Sequence, residues 1–450
     1  MKYFIETYGC QMNKAESAAL ETLMREHGWT PSDVDDGADL VLINTCSVRA
    51  TAETRALGRL DHFAARKREL AAAGRKPFAL VVTGCMAERM KRSIRERQPA
   101  IDYVVGTFQK QAFGLILDAI EAGRRLDDVE ESPAFVFAHS YYEPGSFRSF
   151  LPIMHGCNNF CTYCIVPYLR GREVSRKPED ILAELDSLED SGVREVTLLG
   201  QNVNSYRWKA EGGDLDFPGL LRLIARHLRE RGRGGIHWIR FLSSHPKDLS
   251  DEAMAVMAEE PVYCRHIHLC VQSGSDAILR AMNRRYDRAY YLALVDRLKA
   301  RLPGLSLSTD ILVGFPGETE ADLEDTLDLM RRVEFSYSYM YHYNPREGTP
   351  AATMAGRIPD KVKKARLAKV IEFQREMTRR FMEARIGAVD EVLIEDVSKR
   401  KKSEVLGRTQ RDEMVVFPAA SSRVGSFARV RLLSLSGNTF KAEEIDAAGE

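Results

Sequence analysis

Cys10, Cys46 and Cys85 each stand one or two residues beyond an apolar run that reads as a β-strand, and this repeated placement limits the fold more than any other feature of the sequence. The runs are Tyr3–Tyr8, Leu40–Thr45 and Phe78–Thr83, with a fourth at Tyr103–Val105. Helical periodicity covers Ala15–His27, Thr51–Ala73 and Gln109–Ala122. Alternating strands and helices predict a parallel sheet covered on both faces. The strand ends then share one edge, where such sheets bind ligands, so cysteines remote in sequence meet in space. Gly9 and Gly84 precede two of them and let the backbone approach a bulky inorganic group. One such cysteine would read as a packing residue, but the same position in three successive units calls for another reason.

The pattern recurs at larger scale over residues ~150–375. Strands are expected at Leu151–His155, Glu195–Leu199, His237–Leu242, His266–Gln272, Leu305–Val313 and Tyr337–Tyr343. Helices between them include Pro178–Ser191, Gly219–Arg231, Ser275–Met282, Asp287–Arg301 and Glu320–Val333. Six strand–helix units predict an open or partial parallel barrel, with its site at the C-terminal strand ends. Directly after the first strand comes His155-Gly-Cys157-Asn-Asn-Phe-Cys161-Thr-Tyr163-Cys164, a CxxxCxxC run. Three thiolates can hold three irons of a cubane cluster and leave the fourth iron open to a small molecule. An open metal position signals chemistry, whereas a structural site is closed by four protein ligands. A zinc site with His155 as fourth ligand is the alternative, although zinc cysteines usually come in CxxC pairs. Cys264 and Cys270 lie around a strand without a third cysteine and read as packing residues.

Residues ~125–149 lack periodicity and read as a linker. The helix over 360–385 is basic and amphipathic, with Leu367, Val370, Ile371 and Phe381 on its apolar side, and reads as a solvated helix packed on a domain. From Gly387 the strands Glu391–Glu395, Val405–Thr409, Met414–Phe417, Phe427–Leu435 and Thr439–Glu444 predict a small antiparallel barrel. Its run Lys399-Arg-Lys-Lys402, followed by Arg408 and Arg411, is a patch that could grip phosphates. Lys+Arg and Asp+Glu are equal at 65 each, so the total charge neither favours nor excludes a nucleic-acid partner. Without a signal-like or membrane-length apolar run, the chain is expected to be cytoplasmic and free of membranes. Its eight cysteines are then metal ligands or reactive thiols rather than disulfides. The fold class is α/β in three domains: a cluster-binding parallel sheet over 1–140, a (β/α)6 partial barrel over 145–378, and the small β-barrel over 380–446.

CxxxCxxC with Tyr163 before the last cysteine resembles the signature of radical S-adenosylmethionine (SAM) enzymes. The whole chain is similar to the methylthiotransferases of that superfamily. Tyr8-Gly-Cys10-Gln-Met-Asn13, Asn44-Thr-Cys46-Ser-Val-Arg49 and Thr83-Gly-Cys85-Met86 match the family's cluster-binding segments. Val166-Pro-Tyr-Leu-Arg170-Gly-Arg172, Leu199-Gly-Gln201-Asn202, Ser243-Ser244-His245-Pro246, Val271-Gln272-Ser273, Thr309-Asp310 and Gly314-Phe-Pro-Gly-Glu318 match its later motifs.

The resemblance implies two [4Fe–4S] clusters, one on Cys157, Cys161 and Cys164 with SAM on its open iron, the other on Cys10, Cys46 and Cys85. It makes Tyr163, Gln201, Asn202, Ser243, Gln272 and Asp310 candidates for cofactor contact. It also implies a C-terminal RNA-binding domain of the TRAM type, and two SAM molecules per turnover, one methylating a cluster sulfur and one generating the radical. Gly9-Cys10-Gln11-Met12-Asn13 resembles the members that act on N6-prenylated adenosine beside the tRNA anticodon. Members acting on a ribosomal-protein aspartate usually read Gly-Cys-Pro-Lys-Asn there, and those acting on threonylcarbamoyladenosine Gly-Cys-Lys-Val-Asn; both stand as alternatives. Expected partners are the tRNA anticodon stem-loop and a small electron donor such as flavodoxin or ferredoxin, with the enzyme a monomer. A non-enzymatic iron–sulfur RNA-binding regulator would need neither the barrel nor a second open cluster. Cys270 departs from the family pattern, which has Pro there, and this predicts that residue 270 bonds little through its N–H.

Overall fold

The computed structural model describes residues 1–47, 50–109, 112–126, 135, 137, 145–210, 213–232 and 235–445. Most of the expected linker, and Val48 and Arg49 of the second cysteine motif, lie outside the described residues.

The N-terminal unit runs β1 (Lys2–Thr7), α1 (Gln11–Glu26), β2 (Thr30–Pro31), β3 (Leu40–Thr45), α2 (Ala50–Ala72), β4 (Ala79–Gly84), α3 (Cys85–Arg97), β5 (Tyr103–Val105) and α4 (Phe113–Glu121). Its sheet is parallel throughout, in the order β2-β1-β3-β4-β5. Alternate residues of β3 enter two separate cores. Val41 and Ile43 pack with Leu60, Phe63 and Ile94, whereas Leu40 and Leu42 pack with Met24, Trp29 and Phe113. Both faces are therefore covered, as the unbroken apolar runs require. Helix α3 escapes the periodicity reading because, besides Cys85, only Met86, Ala87 and Ile94 of it are buried.

The central unit supplies six parallel strands: β6 (Arg148–Pro152), β9 (Glu195–Leu199), β12 (Trp238–Phe241), β13 (His266–His268), β14 (Ser306–Val313) and β15 (Tyr337–His342). Two hairpins, β7 (Met154–His155) with β8 (Val174–Ser175) and β10 (Arg207–Trp208) with β11 (Leu215–Asp216), decorate it. Two three-stranded sheets, β12-β9-β6 and β13-β14-β15, are joined by the parallel bridges Ile239↔Tyr263 and Ser244↔Leu269 into a partial barrel. Helices α5 (Val166–Arg170), α6 (Pro178–Asp190), α7 (Phe217–Arg231), α8 (Asp251–Glu259), α9 (Asp276–Ala281), α10 (Arg288–Arg301) and α11 (Glu320–Val333) fill the connections.

Helix α12 (Asp360–Glu383) runs beside β15. Of its expected apolar side only Val370 is fully buried. Polar side chains do the docking: Gln374 donates to Phe335 O at 3.0 Å and Thr378 to Ser336 O at 2.8 Å. Both carbonyls lie in the chain just before β15, and these side chains satisfy them.

The last strands, β16 (Val389–Val397), β17 (Glu404–Thr409), β18 (Met414–Pro418), β19 (Phe427–Ser436) and β20 (Thr439–Glu444), close a barrel in the order β16-β17-β18-β20-β19. All pairings are antiparallel except β18 with β20. Lys399 to Lys402 are exposed. Arg408 and Arg411 are engaged instead with carboxylates, Arg408 with Glu395 at 2.9 Å and Asp412 at 2.7 Å, Arg411 with Glu413 at 3.3 Å.

The turn after β17 seats under the N-terminal ends of the central strands. Buried Arg240 pairs with Glu195 at 2.8 Å and donates to Thr409 O at 2.7 Å and Gln410 O at 3.0 Å. Tyr337 OH donates to Asp412 at 2.7 Å, and Arg411 donates to Gly304 O. Trp238, Cys264, Leu393 and Phe427 pack beside this seam, so Cys264 is a packing residue. Arg240→Ala should lower stability by about 3 kcal/mol, the low end for a broken buried pair, because Arg148 still faces Glu195 at 3.3 Å. Urea unfolding followed by tryptophan fluorescence measures it.

Candidate active site

The N-terminal strands bring their cysteines together at one sheet edge. Cys10 follows β1 as the N-cap of α1, Cys46 follows β3, and Cys85 opens α3. Asn13 ties the first two segments: its Nδ2 donates to Asn44 Oδ1 at 3.0 Å and to Thr45 O at 2.9 Å. Asn44 Nδ2 returns a bond to Asn13 O at 2.9 Å. Gly9 and Gly84 have φ of +152° and +94°. A Cβ on Gly9 would lie 2.7 Å from the Cβ of Cys46, and one on Gly84 2.3 Å from Thr45 O. Both glycines are thus required by close approach. The Cys10 thiol is lowered to about 6, first by its hydrogen bond with Cys46 and further by the Arg170 guanidinium, against the burial that pushes it up.

The second trio sits in the loop after β7. Its backbone is fixed from outside: Thr162 N donates to Met282 O at 3.1 Å, and Asn283 Nδ2 to Phe160 O at 3.0 Å. Burial pushes the Cys164 thiol up to about 12, with Cys161 beside it adding to the rise, and burial likewise raises Cys157. Desolvated thiols that oppose each other's ionisation fit a cation, since a bound metal deprotonates its thiol ligands outright. Arg284 Nη1 donates to Cys161 Sγ at 3.3 Å and approaches Tyr163 OH at 3.5 Å.

Arg170, on α5 just beyond the second trio, reaches across to the first. Its Nε donates to Cys85 Sγ at 3.2 Å, and its Nη1 to Glu16 Oε1 at 2.6 Å. The same Nη1 lies 3.5 Å from His155 Nδ1. Farther along the interface, Arg346 pairs with Glu53 at 3.3 Å. Between the units lies a cleft of about 410 Å³, lined by Ser47 and Thr51 on one side and by Tyr163, Cys164, Gln272 and Asp310 on the other.

The expected cofactor contacts divide on inspection. Tyr163, Gln272 and Asp310 line the cleft. Among the described residues, buried Gln201 Oε1 has no hydrogen-bond partner, nor do His342 Nδ1 and Tyr343 OH, two residues of the cleft wall. Such groups suit a polar ligand, because leaving them unmet costs about 1–3 kcal/mol each. Asn202 is committed to structure: its Nδ2 donates to Asp248 at 2.7 Å and its Oδ1 accepts from His245 N at 3.3 Å. Ser243 lies off the cleft lining. Ser243 and Gln272 hold left-handed backbones at φ 69° and 74°, a conformation uncommon for non-glycine residues. The sequence reading missed Glu16, Arg284 and Arg346, which no motif or spacing marks, and assigned no role to Arg170.

Three family descriptions match consecutive parts of the chain: an uncharacterised protein family, UPF0004, over residues 2–106, the radical SAM superfamily over 151–330, and the TRAM domain over 383–443. A tRNA-2-methylthio-N(6)-dimethylallyladenosine synthase from Treponema denticola is 49% identical over 456 residues, spanning 98% of this chain and 99% of the relative. The chain belongs to the radical SAM methylthiotransferase family. Synthases of the same name from Phocaeicola vulgatus and Moorella thermoacetica are 42% and 40% identical, covering 99% and 98% of this chain and 96% and 98% of the relatives. The radical S-adenosylmethionine methyltransferase TsrM of Kitasatospora setae shares the fold, with a TM-score of 0.58 at 15% identity over 78% of this chain and 77% of that one.

In cluster-free protein, Cys10 should be alkylated by iodoacetamide at a rate rising through about pH 6 and level by neutrality, as its thiolate forms. Cys164 should stay unmodified at neutral pH, where it is fully protonated. Peptide mass mapping over a pH series reads both.

Proposed function

We infer that this enzyme methylthiolates carbon 2 of N6-prenylated adenosine beside the tRNA anticodon. The observation that carries the reading is the pair of cysteine trios at the meeting edges of two units, beside a cleft to which both units contribute. Cys157, Cys161 and Cys164 would hold one [4Fe–4S] cluster, and Cys10, Cys46 and Cys85 the other. When bound, the clusters and SAM supply the methylated sulfur and the radical that removes a hydrogen atom. The protein's own share is positioning. Arg170 neutralises charge at the first trio, and Arg284 at the second. Gln201, His342 and Tyr343 offer unmet hydrogen bonds to polar groups of SAM or the base. The base must leave the anticodon stack to enter the cleft.

The proposed division into 1–140, 145–378 and 380–446 is supported by the five-stranded parallel sheet, the partial barrel and the closed barrel. The last unit grips RNA phosphates through the exposed run at Lys399 to Lys402. A small flavin or iron–sulfur protein donates the electron. Among the described residues no helix is long and apolar enough to cross a membrane.

Anaerobically reconstituted enzyme, given SAM, reductant and a prenylated anticodon stem-loop, should yield the 2-methylthio nucleoside by mass spectrometry. Cys157→Ala should abolish both this product and 5′-deoxyadenosine. Cys10→Ala should abolish the product while SAM cleavage persists. Cleavage by the unaltered enzyme with unchanged RNA would refute the substrate and point to threonylcarbamoyl-modified RNA or the ribosomal-protein loop. Replacing Lys399, Arg400 and Lys402 with Ala should weaken stem-loop binding and reduce its log–log salt slope by about 0.7 or more for each phosphate left ungripped. Filter binding across a salt series measures this.

A further inference from the structure

Strand register gathers three unlike side chains on the cleft wall. His268 ends β13, and Cys270, two residues on in extended chain, faces the same way. His268 pairs in register with Ser308 of β14, which brings Asp310 alongside, and Gln272 N donates to Asp310 O at 2.9 Å. A ring nitrogen of His268, Cys270 Sγ and a carboxylate oxygen of Asp310 all lie within 4.8 Å of one another. Cys270, expected to be a packing residue, therefore belongs to a polar cluster. Its N–H also bonds to Ser244 O at 3.2 Å, against the expectation of an idle N–H.

The cluster has the parts of a metal site. His268 Nδ1 lies 2.9 Å from Ser308 Oγ, a contact that orients the ring. The other nitrogen, Nε2, is turned to Asp310 Oδ2 at 3.4 Å. A hydrogen-bond relay of the Cys-His-Asp kind would use both ring nitrogens within the trio, whereas here one is held from outside it. Arg284 and Tyr286 donate to Cys270 O at 2.5 Å and 3.2 Å and so anchor its backbone.

We propose that His268, Cys270 and Asp310 bind a zinc ion with one coordination position left open to the cleft. Zinc takes imidazole, thiolate and carboxylate together, at roughly 2.0–2.3 Å. Tetrahedral ligands at those lengths stand roughly 3.4–3.6 Å apart, a spacing the His268–Asp310 pair already has. Thiolate and carboxylate together offset the ion's two positive charges. Three protein ligands leave a fourth position, and Asp310 lines the cleft beside Gln272, Tyr163 and Cys164. The metal gives that wall a Lewis-acidic contact for a lone pair of the bound substrate.

The test uses cluster-loaded enzyme, in which iron occupies the other metal-binding cysteines. After equilibration with buffered zinc and desalting, one zinc per chain should remain. Zinc-edge X-ray absorption should show one sulfur neighbour at about 2.3 Å and nitrogen or oxygen at about 2.0–2.2 Å. Cys270→Ala and His268→Asn should lose the zinc while keeping the wild-type iron content, which shows that they have folded. Cys264→Ala should keep both metals. No retained zinc, a shell of three or four sulfurs, or full zinc retention in Cys270→Ala would each overturn the proposal.

Discussion

The seat of the N-terminal unit on the central one depends on one buried cation. The Arg170 side chain is 3% exposed and that of Glu16 is 7%, and the two belong to different units of the chain. A guanidinium taken out of water must recover several kcal/mol of hydration. Arg170 does so with charge-assisted bonds to the Glu16 carboxylate and a further bond to Cys85 Sγ. A buried pair of this kind adds little net stability compared with a greasy contact. Its value is angular, because a planar donor fork admits few relative orientations of the two sheets. The distance between the cysteine trios is thereby set by a hydrogen-bonding geometry rather than by packing.

A second polar chain runs parallel to it. Glu53 of α2 accepts from Arg89 at 2.6 Å and from Arg346 at 3.3 Å, and Arg89 also donates to Ser47, next to Cys46. The loop that carries Cys46 is therefore held from the central unit as well as from its own sheet. Apolar contact between the units is small by comparison. The clusters centred on Met12 with Leu199, and on Cys85 with Ile165 and Leu169, are minor ones. An interface resting on directional bonds is precise yet thin, which suits two surfaces that must admit a nucleotide between them.

Legibility in the sequence followed the physics of periodicity. Strands such as Leu40–Thr45 and Glu195–Leu199 were readable to the residue because unbroken apolar runs admit few boundaries. The placement of the first trio at one sheet edge was readable as well, since position after a strand is a local pattern. Helix α3 was not, because its charged sequence hides a narrow buried stripe. Glu16, Arg170, Arg284 and Arg346 act through partners 85 to 293 residues away, and nothing local marks such a partnership. Cys270 was misjudged for the same reason: its companions His268 and Asp310 become neighbours only through the pairing of β13 with β14.

The turn after β17 does more than tether the C-terminal barrel. Arg240, His266 and Tyr337 all stand near the foot of the central strands, and Thr409, Gln410 and Asp412 roof them from below. The C-terminal barrel is in effect a stopper. Pulling it out would expose a buried guanidinium and an imidazole to water at the end of the barrel opposite the cleft. A shortened chain made to remove the RNA grip would thus also strip buried partners from the central unit, and a fall in its activity could not be credited to RNA alone.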